Sequence, residues 1–105
     1  MVLIETPVFT RLVCRLLPDE DYRELQNLLV KDPEAGQIIK GSGGLRKIRW
    51  GLSGKGKRGG VRVIYYWFKE PDKMLFLYLY KKNVQADLTS GQLKILKTAV
   101  EEELS

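Results

Sequence analysis

The chain has no histidine, one cysteine, and no apolar stretch long enough to cross a bilayer. The missing histidine excludes Ser-His-Asp triads, Cys-His pairs, histidine-bound metals and ribonuclease chemistry that uses paired histidines. Cys14 on its own can form neither an internal disulfide nor a thiolate metal site. It reads as a helix residue of no special role, and the setting expected for the chain is reducing and cytoplasmic. No membrane span is predicted. Met1-Val2-Leu3-Ile4-Glu5 also lacks the basic segment and long apolar run of a secretory leader.

A further absence is local. No Asp or Glu occurs between Glu34 and Glu70, while Lys40, Arg46, Lys47, Arg49, Lys55, Lys57, Arg58, Arg62 and Lys69 all fall in that gap. Half of the 18 basic residues thus sit in an acid-free middle, and the other half share the rest of the chain with all 13 acids. The net charge of +5 is therefore a strongly basic centre in a mildly acidic frame. Solubilising charge normally alternates in sign, so this segregation points to an anionic partner. Eight of the 10 glycines, Gly41, Gly43, Gly44, Gly51, Gly54, Gly56, Gly59 and Gly60, crowd into residues 41–60 of it. Glycine leaves backbone amides uncovered, and Lys and Arg beside it neutralise phosphates and release their condensed counterions. RNA or DNA is the expected ligand. Gly54-Lys55-Gly56-Lys57-Arg58-Gly59-Gly60 lacks the spacing of a nucleotide-binding P-loop and has no helix after it.

Periodicity divides the chain into seven elements. Leu3-Ile4-Glu5 begins a short strand. Thr6-Pro7 caps a helix with Phe9, Leu12, Val13 and Leu16 on one face. Asp19-Glu20-Asp21 suits the positive end of a second helix, whose stripe is Tyr22, Leu25, Leu28 and Leu29 and which ends at Asp32-Pro33. A period of two then predicts strands over Leu45–Trp50, Val61–Lys69 and Met74–Lys82, the last two joined by a turn at Glu70-Pro71-Asp72-Lys73. Thr89 and Gln92 have capping-box spacing and open a helix with Leu93, Leu96, Val100 and Leu104 on one face. The predicted fold is α+β in the order β-α-α-β-β-β-α, an antiparallel sheet with helices on one face, as one domain over residues 1–105.

Strict alternation assigns Leu75, Leu77 and Leu79 to the helix-covered face, with Phe76, Tyr78, Tyr80 and Lys82 opposite. The same rule sets Lys47 and Arg49 against Ile48 and Trp50, and Arg62 against Val61 and Val63. The open face then carries Lys47, Arg49, Arg62, Tyr80 and Lys82, cations beside a tyrosine that clamp phosphates and stack unpaired bases. Phe76 and Tyr78 fit a small second aromatic core equally well. The acids are expected to avoid this basic face, so no carboxylate metal cluster is expected there, and no cofactor is implied.

A nuclease needs neither histidine nor metal if its substrate is RNA, which brings its own 2′-OH nucleophile. The protein then has to position it, take a proton and stabilise phosphorane charge. A lysine crowded by like charge loses its proton more easily, so Lys47, Lys55, Lys57 and Lys82 are candidate bases. Arg62 would hold the scissile phosphate, and Tyr80 would donate to the leaving oxygen or stack on a base. Lys47, Arg49, Lys55 and Arg58 complete the set as RNA contacts.

Leu45-Arg46-Lys47-Ile48-Arg49-Trp50 and the run from Gly54 through Gly60-Val61-Arg62-Val63-Ile64-Tyr65-Tyr66 resemble the HigB-like branch of the RelE/ParE toxin superfamily. Glu5-Thr6-Pro7, Phe9-Thr10, Tyr80-Lys81-Lys82-Asn83 and Asp87-Leu88-Thr89 fit the same branch, so the likeness covers nearly the whole chain. The resemblance implies the toxin of a type II toxin–antitoxin pair that cuts mRNA in the ribosomal A site, against 16S rRNA, leaving a 2′,3′-cyclic phosphate and a 5′-OH. It implies a phosphate-binding arginine at Arg62 and catalytic basic or tyrosine residues among Lys57, Tyr80 and Lys82. The strand lysines of the RelE branch fall near Lys47 and Arg49, so one is an arginine here, and no tyrosine follows Tyr80. A cognate antitoxin with a helix-turn-helix is implied as partner, with operator DNA reached only through it. Two other functions stay open: a gyrase-inhibiting toxin on the same fold, and a non-catalytic RNA- or ribosome-binding module.

Overall fold

The computed structural model describes the backbone of residues 1–52 and 56–104 and the side chains of residues 1–51 and 60–104. The elements are β1 (Val2–Glu5), α1 (Pro7–Leu16), α2 (Asp19–Lys31), β2 (Gln37–Ile38), β3 (Arg46–Leu52), β4 (Gly56–Phe68), β5 (Lys73–Lys81) and α3 (Ser90–Leu104). The α+β class and the predicted element order hold, with β2 as an additional two-residue strand. Residues 56–60, glycines around Lys57 and Arg58 read from sequence as part of a loop, form the first part of β4.

Local chemistry explains the helix boundaries. Pro7 occupies the first turn of α1, and the Thr6 hydroxyl accepts the Phe9 amide at 3.1 Å. Three carboxylates, Asp19, Glu20 and Asp21, open α2, where they offset the positive end of its dipole. Thr89 and Gln92 form a reciprocal capping box at α3: the Thr89 hydroxyl accepts the Gln92 amide at 3.1 Å, and the Gln92 side chain accepts the Thr89 amide at 3.0 Å.

The strands lie in the order β1-β5-β4-β3-β2. The β2–β3, β3–β4 and β4–β5 pairs are antiparallel, but β1 runs parallel to β5, so the sheet is mixed and not purely antiparallel as predicted. The α1–α2 hairpin carries the chain from one sheet edge to the other. That crossing is what allows the first strand to lie beside the last.

The second correction concerns the faces. Phe9, Val13, Leu17, Leu25 and Leu29 of the α1–α2 segment pack with Ile48, Val61, Val63, Tyr65, Met74, Phe76 and Leu79. Leu96 and Val100 of α3 pack instead with Leu45, Ile64, Phe68, Leu75 and Leu77. These are the alternate residues of the same strands, so α3 covers the face opposite α1 and α2, and the helices do not share one side. The predicted Leu75, Leu77, Leu79 row is also broken. Pairing runs Ile64↔Tyr78 and then Tyr65↔Phe76, skipping Leu77, which marks a β-bulge. Beyond it the parity of β5 inverts: Phe76 and Leu79 share the α1–α2 core, while Leu77, Tyr78 and Tyr80 share the other face. Phe76 stacks on Phe9 at 5.2 Å and meets Tyr22 edge-on at 5.8 Å, a core aromatic with no part in the open face. The bulge is fastened by α1: the Thr6 hydroxyl donates to the Leu77 carbonyl at 3.0 Å, and the Thr6 amide to the Phe76 carbonyl at 3.1 Å.

Tyr65 anchors the chain between α2 and β2. Its fully buried hydroxyl accepts the Gly36 amide at 2.8 Å and donates to the Pro33 carbonyl at 2.9 Å. A β-carbon at Gly36 would lie 2.8 Å from that ring, so only glycine fits. Arg46 adds a bond to the Gly36 carbonyl at 2.8 Å and an ion pair to Glu34 at 3.2 Å. Tyr65→Phe leaves a buried amide and a buried carbonyl unpaired and is expected to cost about 1–3 kcal/mol. The check is a lower urea midpoint at unchanged m-value; an unmoved midpoint would show the clamp to be dispensable.

Candidate functional site

The antiparallel register places Arg49, Arg62 and Tyr80 side by side on β3, β4 and β5, and Lys47, Ile64 and Tyr78 in the neighbouring row. After the bulge these side chains belong to one face, the one whose other end α3 covers. Of the predicted grouping of Lys47, Arg49, Arg62, Tyr80 and Lys82, the sheet brings the first four together. Lys82 lies just past the end of β5, exposed in the turn that follows. Lys55 lies outside the described residues, as do the side chains of Lys57 and Arg58, whose backbones belong to the start of β4.

Burial distinguishes the members of this row. Arg49 is exposed and Lys47 half-buried, whereas Arg62 is 9% and Tyr80 3% exposed. Among the described residues, Arg62 Nη1 and Tyr80 Oη are the buried side-chain polar atoms with no hydrogen-bond partner. They sit on directly paired residues, Arg62↔Tyr80. A buried guanidinium is expensive unless its charge and its N–H groups are answered, and an unanswered hydroxyl adds its own desolvation cost. A cationic donor and a neutral donor on paired residues are the kind of groups that an anion with several acceptor oxygens can satisfy. Burial pushes the Tyr80 phenol above its ordinary range, Asp87 pushes it further, and the Arg62 charge opposes both. The hydroxyl therefore keeps its proton and remains a donor at neutral pH. Tyr78 stands beside it, ring centroids 6.0 Å apart.

A hollow of about 430 Å³ opens next to Arg62, lined by Ala35, Gln37, Lys47, Ile48, Arg49 and Arg62. Its outer wall is the 35–37 segment held by Tyr65 and Arg46, so residues at the root of the opposite face shape the site. Neither Ala35 nor Gln37 was anticipated from the sequence, because the pairing Gln37↔Lys47 rests on a two-residue strand too short to leave a pattern.

The expectation that acids avoid this face fails at one position. The Asp87 carboxylate meets Lys47 Nζ at 3.4 Å, bridging 40 residues of sequence. No spacing signal could have disclosed it, since Asp87 lies in the irregular link between β5 and α3. The like-charge crowding on which a lysine base depends is thus relieved at Lys47. A carboxylate at this spot also rules out reading the row as uniformly cationic.

Tyr80→Phe removes a buried hydroxyl that has no partner. It is expected to leave the free protein as stable as before or up to about 1–2 kcal/mol more stable, opposite in sign to Tyr65→Phe. Urea unfolding decides: a loss above about 1 kcal/mol would mean that the hydroxyl is bonded in the free protein.

Comparison with known proteins adds two findings. A family model described as the RelE toxin of the RelE/RelB toxin–antitoxin system matches residues 21–104. Among solved structures, a mutant of the E. coli toxin RelE in the free state is similar at a TM-score of 0.58 and 20% identity, over 81% of this chain and 86% of that one. The second finding concerns the fold alone. Among the described residues no helix is long and apolar enough to cross a membrane.

Proposed function

We infer the activity from the family: this chain belongs to the RelE toxins and is the toxin of a toxin–antitoxin pair. We propose that it is a metal-independent endoribonuclease that cuts mRNA in the A site of the ribosome and so halts translation in the cytoplasm. The observation that carries this reading is the pair of unanswered buried donors on paired residues, Arg62 Nη1 and Tyr80 Oη, beside a hollow that Arg62 lines together with Lys47 and Arg49. A phosphodiester supplies the acceptor oxygens that both donors lack. Lys47, Arg49, Lys55 and Arg58 hold the flanking phosphates, whose neutralisation also drives binding through counterion release.

The chemistry follows from the substrate. The 2′-oxygen attacks the adjacent phosphorus and the bond to the 5′-oxygen breaks, leaving a 2′,3′-cyclic phosphate and a 5′-OH. Arg62 stabilises the charge that builds on the phosphorane oxygens, a contribution that grows in a dry site. The 2′-OH proton passes to a lysine, with Lys57 and Lys82 assigned to that exchange. Tyr80, held in its protonated form by burial, donates to the departing 5′-oxygen. The ribosome supplies what a small open face lacks, a mRNA strand already bent into reach. A cognate antitoxin, with a helix-turn-helix that carries the pair to operator DNA, is the protein partner. An acceptor-rich, acidic segment of it suits the same cations.

Induced expression of the wild type and of Arg62→Ala, read by growth and by primer extension on a translated reporter mRNA, tests the proposal. Expected are growth arrest and cuts inside translated codons for the wild type, both lost in Arg62→Ala and absent on naked RNA. Lys57→Ala and Lys82→Ala should lower the single-turnover rate by about 10²–10⁴ where the residue exchanges a proton. Arrest without cuts would overturn the nuclease reading in favour of gyrase inhibition or plain ribosome blockage.

A further inference from the structure

Asp87 stands apart from three other ion-paired acids, of which Asp72 meets the N-terminal ammonium. The Glu34–Arg46 pair secures the wall beside β2, and the Glu103–Lys73 pair ties α3 to the start of β5. Asp87 instead engages a cation that lines the hollow beside Arg62. Its position is set by a chain of short-range bonds. The Lys81 carbonyl accepts the Val84 and Gln85 amides at 3.1 and 3.2 Å, and the Gln85 side chain donates to the Asp87 carbonyl at 2.9 Å and to Gln92 Oε1 at 2.9 Å. Asp87 Oδ1 also accepts the Leu88 amide at 2.9 Å. The link that delivers the carboxylate is therefore built between the end of β5 and the capping box of α3. The pair it makes is not buried: the side chains of Lys47 and Asp87 are 30% and 70% exposed. A pair so wet is weak enough for a stronger anion to exchange.

We propose that Asp87 is a positioning residue that acts through Lys47: its carboxylate holds the ammonium at the rim of the hollow and is displaced when an RNA phosphate takes its place. The pairing orders a long, flexible side chain, but the larger effect is the cost of breaking it, which lowers the affinity of the empty face for polyanions. This role rests on the RNA-binding reading of the site but not on cleavage. It sets how strongly the site holds a phosphate, whatever chemistry follows.

The test is a double-mutant cycle on binding, with a fluorescein-labelled 2′-O-methyl RNA octamer that lacks the 2′-OH nucleophile. Asp87→Asn removes the charge but keeps an oxygen for the Leu88 amide, so the link stays built. Wild type, Asp87→Asn, Lys47→Gln and the double variant are titrated between 50 and 200 mM KCl. Asp87→Asn should tighten binding about twofold to fivefold, the worth of an exposed pair. It should also steepen the plot of log K against log salt by up to about 0.7, one more fully neutralised phosphate on a single strand. In the Lys47→Gln background both effects should vanish. The same tightening with and without Lys47 would reduce Asp87 to a general charge and overturn the proposal, as would no tightening at all. Loss of RNA cutting by the wild type, with the cycle intact, would sink the nuclease reading and leave Asp87 in its role.

Discussion

A strand that has to send Phe76 into one core and Tyr80 onto the opposite face cannot keep a strict period of two, and the extra residue at Leu77 lets β5 do both. Without it, Phe76, Tyr78 and Tyr80 would share a side. Either Phe76 would be lost from its packing against Phe9 and Tyr22, or Tyr80 would turn away from Arg62. The bulge costs a ladder position, and Thr6 compensates, its hydroxyl bonding the Leu77 carbonyl while its other contact caps α1. One threonine therefore starts a helix and secures the irregularity that assembles the site. Bulges recur beside functional sites because they re-aim side chains in this way.

The second consequence of that geometry is a division of one sheet face between structure and function. Residues of α3 cover Leu75, Leu77 and Phe68 at one end, and the row of Arg49, Arg62 and Tyr80 occupies the other. Arg62 and Tyr80 are nevertheless nearly as buried as the apolar residues beside them. Their polar tips are desolvated by neighbours that give nothing in return, a local loss that the rest of the core has to offset. Tyr65 and Tyr80 make the contrast concrete: both are buried tyrosines of the same sheet, but one hydroxyl is doubly bonded and fastens a loop while the other has no partner.

Helix caps, strand periodicity and the clustering of cations are short-range properties, and these were legible in the sequence. Thr6-Pro7 and Thr89-Gln92 act as caps, the three long strands fall within a few residues of where alternation puts them, and Lys47, Arg49, Arg62 and Tyr80 do share a face. What escaped depends on residues far apart in the chain. Alternation predicts facing only until a bulge, and the skipped Leu77 looks like any other leucine of its row. The apolar stripe of α3 is equally compatible with either side of the sheet, since both faces of β4 and β5 are apolar at that end. Parallel pairing of β1 depends on where the α1–α2 hairpin delivers the chain, and β2 is too short to show a period. Nothing in the local composition around Asp87 distinguishes a capping or turn acid from the counter-ion of a lysine 40 residues earlier.

That last contact changes how the charge of this protein is to be understood. Segregation of nine cations into an acid-free segment suggests a surface that attracts any polyanion, with affinity set by their number. Folding redistributes them. Arg46 turns to Glu34 and the backbone of the 34–36 segment, Lys47 meets Asp87, and Arg62 sinks beneath the surface. Among the described residues of the row, Lys47 is oriented by Asp87 and Arg62 by burial, whereas Arg49 stays exposed. Affinity from raw charge falls with salt, whereas a guanidinium and a phenol left unpaired in a fixed geometry discriminate by shape. For the proposed function, in which one phosphate is selected among many, the second contributes more than the first. The placement of a single acid beside Lys47 moves the balance in that direction.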